Sequence, residues 1–157
     1  TVYTKEFTIF LTPYEIIETI IENNIDVSEI RDAIKTVVNK ATISLLTKIL
    51  DLDLDKNKVV KDVVIERALE LIEREIRSLK DYSDKITNIL FLLISLKKYD
   101  VDIEKQIKYL TKLIEKAIDE LNDKVALQLI IETYIKHFRE YASVKIKNHA
   151  LSMRFGE

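Results

Sequence analysis

The chain is poor in the residues that reverse a polypeptide with little strain. Its 157 residues include one glycine and one proline, and both stand toward the ends, at Pro13 and Gly156. β-Proteins and phosphate-binding loops need glycine, because their turns use positive φ angles that other residues adopt at a cost. This shortage predicts a nearly all-helical protein.

Cysteine is absent, and only two histidines are present. The lack of cysteine excludes disulfides, thiolate catalysis and cysteine-ligated zinc or iron–sulfur sites. The histidines, His137 and His149, belong to no HxxxH, ExxH or HExxH motif, which removes the helical metal motifs. We therefore expect no metal and no cofactor.

No segment of the sequence is apolar for long enough to cross a membrane. The longest apolar run covers residues 89–96, far short of the ~20 residues that a spanning helix requires. No signal peptide is recognisable, so we expect a cytoplasmic protein. The net charge is only −2, whereas sequence-independent DNA-coating proteins have a strong positive excess. The abundance of Ile, Lys and Glu is typical of thermophiles and of AT-rich genomes.

Apolar residues recur every three or four positions, which predicts helices joined by short connections. Thr12-Pro13-Tyr14-Glu15 is a capping box that opens the first helix, and this helix should end near Glu22. The other predicted helices cover about residues 26–49, 58–79, 84–98, 103–121 and 124–153. We expect a single domain over residues 1–157, in which residues 12–157 form a mostly antiparallel bundle of five or six helices.

Residues 2–11, within an N-terminal arm of residues 1–11, form the one β-like stretch, because most of them are strand formers. We interpret this stretch as an extended arm that packs on the bundle or adds to a partner's sheet. A short strand over residues 7–11, then a capped helix, a turn and a second helix, resembles the ribbon-helix-helix DNA-binding fold. The resemblance covers about residues 4–50, and it implies a dimer whose paired strands enter the major groove.

Residues 51–62 (DLDLDKNKVVKD) place side-chain oxygens at the spacing of a calcium-binding loop. However, Lys56 stands where that loop needs glycine, and Lys58 stands where it needs an apolar residue. Asp62 is also shorter than the bidentate glutamate that closes the loop. We therefore interpret the segment as a polar turn before a helix N-terminus.

The sequence around the histidines does not select a nucleophile and base. Small helical HEPN ribonucleases carry an arginine that is followed within a few residues by a histidine near a helix end. Here residues 140–148 separate Arg139 from His149. The activity is not carried over, and we expect a non-enzymatic protein.

The C-terminal segment, residues 133–157, is rich in basic residues. The candidate residues for binding nucleic acid or a partner are Lys136, Arg139, Lys145, Lys147, His149 and Arg154. Aromatic residues stand among them (Tyr134, Phe138 and Tyr141), a mixture that suits phosphate contact and base stacking. The charges also suit an acidic protein partner. The simpler alternative is a core stripe of aromatics beneath a solvated basic face.

Plentiful apolar stripes without catalytic motifs favour a helical interaction or assembly subunit, such as a subunit of a nucleic-acid-handling complex. The alternative is direct nucleic-acid binding by the basic C-terminal helix or by the N-terminus. The seam Ile103, Ile107, Leu110, Ile114, Ala117 and Leu121 has heptad spacing. Together with the N-terminal arm, this seam favours self-association. No membrane or small-molecule substrate is indicated.

Overall fold

The computed structural model describes residues 11–77 and 82–155, and within these ranges it is helical, without strands. The all-α prediction is therefore confirmed. The described α-helices are α1 (Pro13–Glu22), α2 (Arg31–Asn39), α3 (Ile43–Leu50), α4 (Lys58–Arg77), α5 (Tyr82–Leu96), α6 (Glu104–Glu120), α7 (Lys124–Phe138) and α8 (Val144–Phe155). The predicted arm, residues 1–11, lies outside the described residues except for Leu11.

The chain divides into two compact units, with the boundary between Leu71 and Ile72. In the first unit α1 packs on α3. In the second, α5 contacts α6 and α7, and α8 packs against both α6 and α7. The single domain and the bundle of five or six helices stay predictions.

Helix α1 has the ends that its sequence predicts. The side chain of Thr12 accepts a hydrogen bond from the backbone of Glu15 (N–Oγ1 3.1 Å), and Pro13 opens the helix. At the other end Asn24 adopts a positive φ of 51°, and the N–H of Ile25 reaches back to the carbonyl of Ile20 (3.0 Å). This is a Schellman end in which asparagine takes the place usual for glycine.

The prediction of one helix over residues 26–49 is wrong, because the structure has a short 3-10 turn (Ser28–Ile30) followed by α2 and α3. The break between α2 and α3 lies at Thr42, whose backbone is extended and whose hydroxyl accepts a hydrogen bond from the N–H of Leu45 (3.1 Å). An N-cap of this kind satisfies a backbone donor that has no partner at the start of a helix.

The segment over residues 51–62 is a polar turn before a helix, as predicted. A 3-10 turn (Leu54–Lys56) precedes α4. The side chain of Asn57 accepts from the N–H of Val60 (3.2 Å), and Lys61 pairs with Asp55 (Nζ–Oδ1 2.7 Å). Asn57 thus caps α4, and Asp55 pairs with a lysine of the first turn of that helix.

The apolar seam of α6 is buried within the single chain. Ile107, Leu110, Ile114 and Ala117 are all buried, and α6 contacts three neighbouring helices of its own unit. These four residues therefore offer no exposed surface to a second copy of the chain. Self-association stays a prediction, and it no longer rests on this seam.

The prediction of one helix over residues 124–153 is also wrong. Helix α7 ends at Phe138, a 3-10 turn (Arg139–Tyr141) follows, and α8 begins at Val144. The hydroxyl of Ser143 accepts from the N–H of Ile146 (3.3 Å), so it caps the new helix. The two histidines therefore lie in different helices, His137 in α7 and His149 in α8.

A candidate binding groove between the C-terminal helices

Helices α7 and α8 and the turn that joins them enclose a groove of about 980 Å³. The wall that α7 supplies is one helical face, because its members are three or four residues apart. The apolar lining consists of Ile131, Ile135, Ala142, Ala150, Leu151 and Met153. The polar lining consists of Gln128, Glu132, Lys136, Arg139, Glu140 and Lys147.

Three of the residues predicted for binding, Lys136, Arg139 and Lys147, lie together on this groove. Each comes from a different element: α7, the 3-10 turn and α8. All three are exposed, and none forms a salt bridge with another residue of the described ranges. Their charges are therefore free to meet a ligand.

Two other predicted residues, Lys145 and His149, do not line the described groove. Lys145 points to α6, where its Nζ forms a salt bridge with Asp119. His149 is half-buried in α8, and its carbonyl accepts from the hydroxyl of Ser152 (2.7 Å). Arg154 belongs to α8, and its side chain lies outside the described part of the chain.

The charge of the groove is polarised along α7. The end next to the turn carries Lys136, Arg139 and Lys147 against the single carboxylate of Glu140. Glu132 precedes Arg139 by about 10 Å along the helix axis, at 1.5 Å per residue. Its carboxylate accepts a hydrogen bond from the side chain of Gln128 (Nε2–Oε1 3.2 Å). The end beside the turn is thus cationic, whereas the described lining farther back along α7 has one carboxylate, Glu132, and no cation.

Two of the aromatic residues of α7 belong to the core. Tyr134 and Phe138 are buried, and their ring centroids lie 6.1 Å apart. The hydroxyl of Tyr134 is 2.6 Å from that of Thr111 on α6, and burial raises the pKa of Tyr134 above its ordinary value. For these two residues the core-stripe alternative is confirmed, and they are not available to stack on bases.

A residue that the sequence did not single out, Lys97, holds the end of α7. Its Nζ donates to the carbonyl of His137 (2.6 Å) and lies 5.1 Å from the centroid of the Phe138 ring. A cation here is favourable, because the last carbonyls of a helix lack partners and carry partial negative charge. Burial, and then the charges of Lys97 and Lys136, lower the pKa of His137.

No family model, curated protein or solved structure matches this chain. Within the described ranges, no group of three or more histidine and acidic residues could hold a metal ion. None of the helices in that part of the chain is both long and apolar enough to span a bilayer.

Proposed function

We propose that this protein is a non-enzymatic interaction subunit, and that a protein partner binds in the groove between α7 and α8. The observation that carries the proposal is the convergence of Lys136, Arg139 and Lys147, all without salt-bridge partners among the described residues, on an apolar groove. Complementary charge steers a partner toward such a surface and sets its orientation, while the apolar floor supplies buried contact area.

A catalytic role has no support in the composition of this groove. Its described lining contains neither a histidine nor a hydroxyl side chain. An activated nucleophile lies within hydrogen-bond reach of a base that is itself oriented by a third group. Neither amine of the groove, Lys136 or Lys147, forms an ion pair with a carboxylate of the described ranges. A role in binding uses the groups that are present.

Direct nucleic-acid binding is the second candidate, and the same three unpaired cations favour it. Two observations place it behind a protein partner. Glu132 and Glu140 line the same groove and would repel phosphates. Tyr134 and Phe138 are buried, so these two aromatics do not supply the base stacking that single-strand binders use.

The test compares the wild type with two charge-reversed variants. K136E/K147E changes two lysines of the groove, and K105E/K112E changes two exposed lysines of α6 that lie outside it. Each protein would be used to capture partners from extracts of its native host. Each would also be titrated with labelled DNA and RNA at low and near-physiological salt. Circular dichroism would verify the fold of all three.

We expect the wild type and the control variant to capture the same partner, and K136E/K147E to lose it. Retention of the partner by K136E/K147E would show that the groove is not the binding surface. Oligonucleotide binding that weakens steeply with salt, and that only K136E/K147E loses, would instead put the nucleic-acid candidate first.

A further inference from the structure

We propose that the groove between α7 and α8 accommodates an amphipathic helix of the partner, with an apolar face and carboxylates gathered at one end. This inference rests on the proposed function and specifies the chemistry of the partner. Three observations carry it: the length of the groove, the nature of its walls and the polarity of its charge.

The length of the groove suits a short helix. Its lining runs from Gln128 of α7 to Arg139 of the adjoining 3-10 turn, which is about 16 Å and about three helical turns at 1.5 Å rise per residue. A docked helix presents anchors at positions i, i+3 or i+4, and i+7, which span about 10 Å. Such a row of anchors fits within the groove.

The walls of the groove favour a helix over an extended peptide. Strand addition requires the free N–H and C=O groups of a sheet edge, whereas the walls of this groove are helices that use their backbone groups internally. Recognition of a polyproline segment requires an aromatic-lined groove, and the described lining contains no aromatic residue. Its apolar side chains are aliphatic, apart from the adaptable thioether of Met153.

The floor of the groove has the shape and exposure that a docked helix needs. Ala142 and Ala150 are small and leave room between α7 and α8. Leu151 lines the same groove and is 52% exposed, so it has apolar area left to bury against a ligand. Burying such area stabilises a complex by about 25 cal/mol per Å² before the cost of association.

The polarity of the groove determines the direction of the ligand. Lys136, Arg139 and Lys147 mark the end beside the turn, so carboxylates of the ligand should lie there. Glu132 lies one helical turn behind Lys136, and the polar lining beyond it is the neutral Gln128. Carboxylates placed away from the turn would therefore meet a like charge and no cation of the described lining. A helix with its acidic residues spread evenly would satisfy one end and be repelled at the other. We therefore infer that the acidic residues are clustered.

The experiment uses three labelled helical peptides of about 16 residues. This length covers the roughly three turns that the groove holds and leaves a short overhang at each end of the peptide. They share one leucine face and differ only in the residues of one terminal turn, which are Glu, Gln or Lys. Binding to the wild type, to K136E/K147E and to the control K105E/K112E would be followed by fluorescence anisotropy. L151E, which alters the floor and not the cations, is the fourth protein.

We expect the Glu peptide to bind the wild type and the control alike, and the Gln peptide to bind about fivefold to tenfold more weakly, the effect of two or three exposed ion pairs. K136E/K147E should reverse the order, so that it prefers the Lys peptide. A misfolded variant could not produce that gain. L151E should weaken every peptide regardless of its terminal charge.

Equal binding of the three peptides, or no binding of any to the wild type, would overturn the helical occupant. The proposed function would survive that result if K136E/K147E still lost the captured partner, so the two failures are distinguishable. Concentration-dependent self-association of the wild type that K136E/K147E abolishes, without peptide binding, would replace the partner helix with a second copy of this chain.

Discussion

The buried pair of hydroxyls between α6 and α7 allows a quantitative test of the core. Thr111 Oγ1 donates to the carbonyl of Ile107 (2.8 Å), so Tyr134 must supply the proton of the 2.6 Å bond between the two hydroxyls. Thr111→Val removes the acceptor and leaves the buried O–H of Tyr134 unsatisfied, which should lower the free energy of unfolding by about 1–3 kcal/mol. Tyr134→Phe leaves Thr111 bonded to its carbonyl, so its expected cost is smaller, about 0.5–1.5 kcal/mol.

The double variant is the sharper measurement, because it replaces both hydroxyls with apolar groups of similar shape. Its loss should fall short of the sum of the single losses by about 1 kcal/mol. Urea unfolding of the four proteins at neutral pH, followed by circular dichroism, measures these differences. Strictly additive losses, or a Tyr134→Phe loss larger than that of Thr111→Val, would refute the assigned direction of the bond.

The pH dependence of the same pair provides an independent check. Burial raises the pKa of Tyr134 above its ordinary value of 10.0, so the folded state holds the phenolic proton more tightly than the unfolded state does. The stability from this group is complete below pH 10 and is lost as the pH rises through the pKa of the folded state. Tyr134→Phe should lack that loss.

Three further substitutions test the helix ends and the surface. Thr42→Ala removes the cap of α3 and should lower the free energy of unfolding by about 1 kcal/mol, measured by urea unfolding; no change would mean that the cap does not stabilise the break. Lys97→Met should destabilise by about 1 kcal/mol and raise the pKa of His137 toward 6.5, measured by NMR titration. Because the pKa of His137 is lowered in the folded state, the contribution of this group to stability should be complete above pH 6.5 and should fall as the pH drops below that value. An unchanged titration of His137 in the Lys97→Met variant would contradict the role of Lys97. Lys145→Ala removes the exposed bridge to Asp119. It should change the free energy of unfolding, measured by urea unfolding, by no more than about 1 kcal/mol.

The two missed helix breaks show why apolar periodicity alone was insufficient. The hydroxyls of Thr36 and Thr47 lie inside helices and donate to the carbonyls of the residues four positions before them. Thr42 stands between them and is an N-cap instead. The same residue type therefore serves both roles, and the spacing of apolar residues continues across the break. The first helix was predictable because Thr12 is followed by Pro13, which restricts the backbone to a helix start.

The candidate site was predictable only in part for a similar reason. The sequence shows that Lys136, Arg139, Lys145 and Lys147 are basic and near each other in the chain. It does not show that Lys145 is neutralised by Asp119, since that contact joins two helices. For Lys97 the sequence shows only a cation that follows an apolar helix. The carbonyl to which it donates, that of His137 in α7, lies 40 positions away in the chain. Local composition predicts charge, whereas tertiary contacts decide which charges are free.

The break between α7 and α8 is also what creates the groove. On a continuous helix Lys136 and Lys147 would stand about 16 Å apart along one axis, too far for both to meet the same carboxylates. The turn at residues 139–143 lets α8 pack against α6 and α7, and so both lysines line one groove. Two polar groups stabilise this turn: the cap of Ser143 at the start of α8 and the ammonium group of Lys97 at the end of α7. The capping interactions that interrupt the helix therefore shape the groove, although neither Ser143 nor Lys97 lines it.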